Sequence, residues 1–196
     1  MSAGARGGGD GLLARGSSAL LVIDLQERYL PHLAAGERVV EATRRMVEGA
    51  RRLGVPVLLT EQYPEGLGPT AAAVRAALPE GVRPLRKMSM SCLGEPAFAA
   101  ALAATGRSQI AVTGIEAQAC VSQTVHQLLA RGLSVHLVVD AVTSRFARDA
   151  EVAIGRMVRA GAVATTVEAA LLEWVRTAED PAFREIQALI RDPLPG

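Results

Sequence analysis

Cys120 is the residue of this sequence best suited to nucleophilic chemistry. In residues 108–131, SQIAVTGIEAQACVSQTVHQLLAR, a short apolar run reaches Gly114 and a helix-length amphipathic pattern follows. This order predicts a strand, a turn and a helix, with Cys120 near the junction. The N–H groups and dipole of a starting helix favour a thiolate, so we expect this thiol to have a pKa below its usual value of about 8.5. The alternative is a buried, unreactive cysteine.

Asp24 and Lys87 are the charged residues that would complete such a site. Asp24 ends the apolar run SSALLVID, which predicts a buried strand with a carboxylate at its carboxyl end. Of the 21 basic residues only Lys87 is a lysine, which suggests that its compact, titratable ammonium is used; the alternative is an ordinary surface lysine. A thiol nucleophile needs a base, and Asp24 can serve. A lysine beside both groups would stabilise the Asp24 carboxylate and the Cys120 thiolate. The three residues would then titrate as one coupled acid–base unit.

The elements that must position these residues alternate along the chain. Strands are predicted at residues 17–24, 55–60, 82–88, 109–113, 133–140 and 162–166. Helices are predicted at residues 37–53, 71–78, 95–104, 117–131, 147–160, 167–176 and 181–190. This alternation predicts an α/β fold, a three-layer, doubly wound, six-stranded parallel sheet with helices on both faces. Ligands bind such sheets outside the carboxyl ends of the strands, so the three residues should converge on one crevice.

Length, charge and cysteine content narrow the class of protein. The 196 residues suit one domain, predicted at residues 17–196 after a mobile tail at residues 1–16. A formal charge of +1 gives no reason to expect nucleic acid or an anionic membrane as partner, which favours a small-molecule substrate. The two cysteines form neither a disulfide framework nor a metal-ligand spacing. No apolar run approaches the length of about 20 residues that a membrane span needs, and no signal segment is visible. We expect a cytoplasmic protein without metal or other cofactor.

With these motifs in view, the sequence resembles the isochorismatase-like cysteine hydrolases and is most similar to the isochorismatase domain-containing proteins. The motifs that carry the resemblance are LVIDLQERY, VPVLLTEQYPEGLGPT, the RPLRKMSMSC region, GIEAQACV, GLSVHLVVDAVTSR and FREIQALIRDPLP. The resemblance implies a catalytic triad of Asp24, Lys87 and Cys120. It also implies hydrolysis of a small amide-type C–N bond through a covalent intermediate on the cysteine, and a homo-oligomer, dimer or larger.

The resemblance further implies the surroundings of the nucleophile. A non-proline cis peptide would join Ile115 and Glu116, a bond that costs about 3 kcal/mol and persists only where its surroundings enforce it. The N–H groups of Glu116 and Cys120 would then form the oxyanion hole. Where relatives have alanine, the acidic side chain of Glu116 would shape the substrate end of the site. The implied pocket residues are Gln26, Tyr29, Glu61, Gln62 and Tyr63.

A metal site of the nicotinamidase kind is not expected. Nicotinamidases of this superfamily bind a metal through an aspartate and histidines after the second strand, where this chain reads TEQY. Metal-assisted nicotinamide hydrolysis is therefore disfavoured.

Other functions stay open at this level. Members that hydrolyse the vinyl ether of isochorismate do not need the cysteine, so this chemistry is one alternative. A binding or scaffold protein that retained the fold and the thiol is another, and slow alkylation of Cys120 would favour it. Phosphoryl transfer of the haloacid dehalogenase type is disfavoured because Gln26 stands where its second aspartate is required. Dinucleotide binding is disfavoured because DLQERY, and not a glycine-rich turn, follows the first strand.

Overall fold

Six parallel strands form the centre of the computed structural model, which describes residues 11–195. The strands are β1 (Ser18–Ile23), β2 (Val57–Gln62), β3 (Leu85–Lys87), β4 (Gln109–Ile115), β5 (Ser134–Thr143) and β6 (Val163–Thr165). Their order is β3-β2-β1-β4-β5-β6, and every neighbouring pair is parallel. The order reverses between β1 and β4, so the predicted doubly wound α/β fold is confirmed.

Helices cover both faces of this sheet. They are α1 (Gly36–Leu53), α2 (Pro64–Leu67), α3 (Ala72–Ala77), α4 (Pro96–Thr105), α5 (Ser122–Ala130), α6 (Ala147–Arg159), α7 (Val167–Val175) and α8 (Phe183–Ile190). Two 3₁₀ turns, Leu30–His32 and Cys92–Gly94, and a π-helical turn, Ala117–Val121, complete the elements. Within the described chain, none of the helices combines the length and the hydropathy of a membrane span.

The central strand β1 separates two apolar layers. Leu20 and Val22 face the layer formed with α1, α3, α7 and α8, whereas Leu21 and Ile23 face the layer formed with α4, α5 and α6. All four side chains are completely buried. This two-sided burial explains why the strand reads as a continuous apolar run, because alternate side chains of a strand point to opposite faces.

Strand β5 is longer than its sequence predicts. Its pairing with β4 is regular up to Val112 and Leu137 and resumes at Gly114 and Val142. Four residues of β5 therefore lie opposite a single residue of β4, an irregularity of the bulge type. The polar residue Asp140 lies in this bulge, which is why the apolar pattern is interrupted there while the strand continues to Thr143.

The segment 11–16 belongs to the folded domain. The Leu13 side chain is fully buried, and the Leu13 N–H donates to Glu173 Oε2 at 2.7 Å. The Ala14 N–H donates to Gln109 Oε1 at 2.8 Å. The prediction of a mobile tail is therefore wrong for residues 11–16, because the apolar side chain of Leu13 fills a core position. Residues 1–10 of that prediction lie outside the described part of the chain.

Gly114 allows β4 to approach β1 at the edge where the sheet order reverses. Its φ is 125°, and a Cβ built on it would lie 2.1 Å from the Ile23 carbonyl oxygen. The clash would involve rigid backbone of the residue directly before Asp24. A side chain at this position would therefore displace one strand from the other.

We predict that Gly114→Ala destabilises the protein far more than Gly132→Ala, a matched control. Gly132 also has a positive φ, 78°, but no atom lies within 4 Å of the place that an added methyl carbon would occupy. Backbone strain alone should cost the control about 1 kcal/mol. The backbone clash should raise the loss at Gly114 to about 3 kcal/mol or more, or prevent folding. Urea unfolding of the two variants measures both losses, and equal losses would contradict the prediction.

Candidate active site

Asp24, Lys87 and Cys120 meet at the carboxyl edge of the sheet. Asp24 follows β1, Lys87 ends β3 and Cys120 lies on the π-helical turn after β4. Lys87 Nζ lies 2.7 Å from Asp24 Oδ2 and 3.3 Å from Cys120 Sγ. The exposed fractions of the three residues are 4%, 1% and 7% in chain order. The structure therefore brings the three residues together in one buried cluster.

The Lys87 ammonium is held by a ring of acceptors. Besides Asp24 and the sulfur, Nζ donates to Gln62 Oε1 at 2.5 Å and to the carbonyl oxygens of Ser89 and Met90 at 3.1 and 3.0 Å. Burial lowers the pKa of Lys87, but the charge of Asp24, followed by that of Cys120, outweighs it and leaves the pKa raised. The ammonium is thus a fixed positive charge at neutral pH.

Asp24 occupies a strained position that its neighbours enforce. Its φ of 53° is left-handed, a region that aspartate tolerates better than most residues. The Asp24 N–H donates to the Thr60 carbonyl at 3.2 Å, and Thr60 Oγ1 donates to Asp24 Oδ1 at 2.8 Å. Burial raises the pKa of the carboxyl, and Lys87 only partly offsets this effect. Asp24 is therefore a stronger base than an ordinary carboxylate.

The Cys120 thiol is protonated in the free protein. Burial, followed by the negative charge of Asp24, raises its pKa to about 12, although Lys87 acts in the opposite direction. The expectation of a lowered pKa is wrong, because the sulfur lies in a buried π-helical turn before α5 and faces a carboxylate. Slow alkylation of the free protein consequently does not distinguish an enzyme from a scaffold.

The turn before Cys120 is made without a cis peptide. Residues 11–195 contain no cis bond, so the Ile115–Glu116 bond is trans and the predicted cis peptide is wrong. The chain instead changes direction through Gly114, whose φ is 125°, and the π-helical turn. The N–H groups of Ala119 and Val121 both donate to the Glu116 carbonyl, at 3.0 and 3.3 Å. These bonds close the turn that places the sulfur.

Glu116 connects this turn to the end of β5. Its Oε1 accepts from the Arg145 N–H at 3.2 Å and from Arg145 Nε at 3.3 Å, and Gln118 Nε2 donates to its Oε2. Ser144 Oγ accepts from the Ala117 N–H at 3.2 Å and donates to Gln118 Oε1 at 2.6 Å. The acidic side chain thus points toward Arg145, a residue that the sequence interpretation missed because it ended β5 too early.

Two of the predicted pocket residues form hydrogen bonds with other parts of the protein. Gln26 is fully buried, and its amide bonds the Gln62 N–H and carbonyl and the Gly68 carbonyl, at 2.8, 3.0 and 2.7 Å. Glu61 Oε1 accepts from the N–H and hydroxyl of Thr70, both at 2.7 Å. Both side chains therefore brace the loop after β2, and the geometry does not support substrate contact for either.

Of the other predicted pocket residues, Gln62 and Tyr29 lie closer to the three candidate catalytic residues. Gln62 contacts Lys87 directly and anchors its own Nε2 on the Met88 carbonyl at 2.9 Å. Tyr29 is half-buried, and burial followed by the charge of Glu116 raises the pKa of its hydroxyl. Tyr63 is 48% exposed and packs its ring against the backbone at Gly66, so it belongs to the rim.

The second cysteine, Cys92, lies behind the carboxylate. It is fully buried, with Sγ 3.8 Å from Thr60 Oγ1, and its N–H donates to Thr124 Oγ1 at 3.0 Å. Burial, followed by the charge of Asp24, raises its pKa to about 11. Cys92 is thus a packed thiol that provides a control for chemistry at Cys120.

Comparison with known proteins identifies the family of this chain. A family model described as the isochorismatase domain matches residues 18–169. The chain belongs to the isochorismatase-domain family. This match confirms the resemblance inferred from the motifs. The matched region includes Asp24, Lys87 and Cys120.

Relatives of the isochorismatase-domain family cover nearly the whole chain. The mouse isochorismatase domain-containing protein 2A is 46% identical over 182 residues, 91% of this chain and 85% of the relative. The structure of MAR1 ribonuclease from Caenorhabditis elegans is 38% identical, with a TM-score of 0.90, and covers 94% of this chain and 95% of that one. The YcaC gene product of Escherichia coli, an octameric hydrolase of unknown specificity, is 22% identical with a TM-score of 0.84, over 91% of this chain and 90% of that one, and shares the fold.

We predict that Asp24→Asn makes Cys120 more reactive toward iodoacetamide. Asparagine tolerates the left-handed backbone. The substitution removes the charge that raises the pKa of the thiol and leaves Lys87 facing the sulfur, so the pKa falls and more thiolate exists near pH 8. The pH dependence of Cys120 alkylation, followed by mass spectrometry, measures the shift.

The wild-type alkylation rate should rise only toward strongly alkaline pH, because the pKa of Cys120 is raised to about 12. Asp149→Asn, a substitution of an exposed aspartate on α6, is the matched control and should leave the profile unchanged. An Asp24→Asn protein that reacts no faster than the wild type would show that the carboxylate does not hold the proton on sulfur.

Proposed function

We propose that this protein is a cysteine hydrolase of a small amide-type substrate, with Cys120 as nucleophile, Asp24 as base and Lys87 as fixed cation. One observation carries the proposal: a single buried ammonium contacts both the carboxylate and the sulfur. This arrangement lets a proton move between Asp24 and Cys120 while the positive charge stays in place. Membership of the isochorismatase-domain family supports the assignment.

The first step would form a thioester. Asp24 takes the thiol proton, so the ion pair of Lys87 with the carboxylate becomes an ion pair with the thiolate. The thiolate sulfur then attacks the carbonyl carbon, and the negative charge passes to the carbonyl oxygen. Lys87 is therefore paired with an anion while the proton moves from sulfur to Asp24, which limits the cost of ionising a buried thiol. When the tetrahedral intermediate collapses, the C–N bond breaks and protonated Asp24 gives its proton to the leaving nitrogen.

The second step would release the acid. Asp24, again a carboxylate, takes a proton from water as the water oxygen attacks the thioester carbon. The C–S bond then breaks, the sulfur recovers its proton and a carboxylic acid leaves. Overall, an amide and water give an acid and ammonia or an amine.

The oxyanion donors are proposed to be the N–H groups of Glu116 and Cys120. Within the π-helical turn, the N–H of Ala117 already donates to Ser144 Oγ, and those of Ala119 and Val121 donate to the Glu116 carbonyl. Donors for a developing oxyanion must be aimed at the reacting carbonyl and not committed elsewhere. The N–H groups of Ala117, Ala119 and Val121 are therefore committed to the protein, which leaves the proposed pair at Glu116 and Cys120 compatible with this bonding pattern.

Vinyl-ether hydrolysis of isochorismate is the second candidate. A carboxyl with a raised pKa, as in Asp24, suits an acid that protonates a substrate carbon, and the reaction does not require the thiol. A Cys120→Ala protein that is fully active on isochorismate would favour this reaction. A scaffold without turnover is the third candidate, and the predicted homo-oligomer and cytoplasmic location stay predictions.

We predict that Cys120→Ala and Cys120→Ser abolish amide turnover, with a loss of about 1000-fold or more, because the attacking atom is lost or weakened. Asp24→Asn should lose turnover even though its thiol alkylates faster. Cys92→Ala, the matched control, should retain activity within a few-fold. A panel of small amides and esters, screened by mass spectrometry for a covalent adduct on Cys120, provides the measurement.

The panel should include isochorismate and an RNA oligonucleotide, the latter because the C. elegans relative is a ribonuclease. Amide turnover that survives unaltered in Cys120→Ala would refute the cysteine mechanism. RNA cleavage that survives in the same variant while no amide is turned over would refute it equally.

A further inference from the structure

Met90 connects the nucleophile to the surface of the protein. Its Sδ lies 4.0 Å from Cys120 Sγ, close enough for the thiol to act as a weak donor to the thioether. The exposed fraction is 44% for Met90 and only 7% for Cys120. One residue therefore both contacts the buried sulfur and is accessible to small reagents in solution.

The backbone around Met90 is fixed, which keeps its side chain beside the nucleophile. The Met90 carbonyl accepts from Lys87 Nζ at 3.0 Å, and the Ser89 carbonyl accepts from the same atom at 3.1 Å. The N–H groups of Met88 and Ser89 both donate to Glu95 Oε1 at 2.9 Å. A chemical change in the Met90 side chain therefore acts on the nucleophile at short range, because the segment cannot move away without breaking its bonds to Lys87.

Exposure distinguishes the methionines of the described chain. Met46 and Met157 are completely buried, whereas Met88 is 55% exposed and Met90 44%. Susceptibility to aqueous oxidants follows exposure, so the exposed pair is the pair that oxidants reach. Of these two, Met90 has the sulfur contact with Cys120, whereas Met88 is held through its backbone N–H and carbonyl. Met88 is therefore a matched control for oxidation at Met90.

The two thiols of the protein are poorer targets for a peroxide than this thioether. Peroxides oxidise cysteine as the thiolate. Burial, followed by the charge of Asp24, raises the pKa of Cys120 to about 12 and that of Cys92 to about 11, so very little of either thiolate exists at neutral pH. A thioether carries no proton, and its reaction with a peroxide requires no ionisation.

We propose that Met90 is a site of reversible oxidation and that its sulfoxide suppresses the reactivity of Cys120. A peroxide transfers one oxygen atom to Sδ: its O–O bond breaks, an S–O bond forms, the thioether is oxidised and hydrogen peroxide is reduced to water. Reduction by a methionine sulfoxide reductase with a dithiol restores the thioether, the oxygen leaves as water and the dithiol becomes a disulfide. The inference goes beyond the proposed function, because it concerns any chemistry at the Cys120 sulfur.

The sulfoxide oxygen acts by competing with Asp24 for the thiol proton. A thioether sulfur is a weak acceptor, whereas a sulfoxide carries a polar oxygen. That oxygen accepts a hydrogen bond from the Cys120 thiol but, unlike a carboxylate, does not take the proton away at neutral pH. The proton therefore stays on sulfur, and the added atom also narrows the approach to Sγ.

The test follows the thiol and needs no substrate. The wild-type protein is treated with hydrogen peroxide at neutral pH, the peroxide is removed with catalase, and alkylation of Cys120 by iodoacetamide at alkaline pH is followed by mass spectrometry. Peptide mapping should show one added oxygen on Met90 and none on Cys120. The alkylation rate should fall by about 10-fold, as expected for one added hydrogen bond that stabilises the thiol, and its pH profile should move to higher pH. An added oxygen on Cys120, or an unchanged rate with Met90 oxidised, would overturn the inference.

Met90→Leu and Met88→Leu separate this site from general oxidation. Leucine keeps a similar apolar volume but has no sulfur. Peroxide treatment should leave the alkylation rate of Met90→Leu equal to that of the same variant untreated. Met88→Leu should lose reactivity to the same extent as the wild type. An equal loss in both variants would contradict the assignment to Met90.

Repair distinguishes methionine sulfoxide from oxidised cysteine. Methionine sulfoxide reductases A and B, one for each sulfoxide epimer, should restore the wild-type rate when supplied with dithiothreitol. Dithiothreitol alone should not restore it. Recovery with dithiothreitol alone would indicate a sulfenic acid or a disulfide on cysteine and would overturn the inference, as would a loss that the reductases do not repair. Because no amide is turned over in this assay, its outcome is independent of the proposed hydrolase activity.

Discussion

The buried ion pair between Lys87 and Asp24 is the constraint on which the site depends. Taking both charges out of water costs several kcal/mol each, and only close pairing with further hydrogen bonds compensates. Strand β2 and the loop after β3 supply these bonds from four places: the Thr60 hydroxyl, the Gln62 amide and the carbonyls of Ser89 and Met90. Loss of either charge would leave the other without its partner, so the ends of β1, β2 and β3 must be kept in one arrangement. The sulfur then occupies the remaining side of the ammonium.

This arrangement controls when the thiol is reactive. A helix-end thiolate would be permanently nucleophilic and open to oxidation. Here burial and the Asp24 charge keep the proton on Cys120, while the nearby base can remove it once a carbonyl is in place. The thiol therefore stays protonated in the free protein and is ionised only when it reacts with a substrate. The cost is that attack requires substrate, base and sulfur to be aligned together.

The convergence of three remote residues is predictable from sequence because parallel strands place all their carboxyl ends on one edge. The apolar runs that end at Asp24 and before Cys120, with the weaker strand pattern around Lys87, are sufficient for that step. Gln26 and Glu61 are placed in the pocket by the family resemblance, not by their residue type. Their partners, backbone groups of the loop after β2, cannot be read from residue type. A polar residue type indicates that a buried side chain needs a hydrogen-bond partner. It does not indicate whether that partner is the protein itself or a ligand.

Arg145 and the π-helical turn escape prediction for related reasons. The bulge in β5 breaks the apolar pattern at Asp140, so the pattern assigns the real strand end and the residues just after it to a loop. A π-helical turn differs from a helical one by a single hydrogen-bond step, which leaves no mark in hydrophobic spacing. Because the sequence predicts an ordinary helix start near Cys120, it also predicts a lowered pKa for that thiol.

The anchoring of Leu13 and Ala14 has a practical consequence for handling the protein. Ala14 bonds Gln109, the first residue of β4, so the chain enters the fold at the amino edge of the sheet. The crevice opens at the opposite edge, about 20 Å away for a strand of this length. Attachment to a support near Ala14 would therefore present the carboxyl edge outward, whereas attachment near Phe146 would obstruct it.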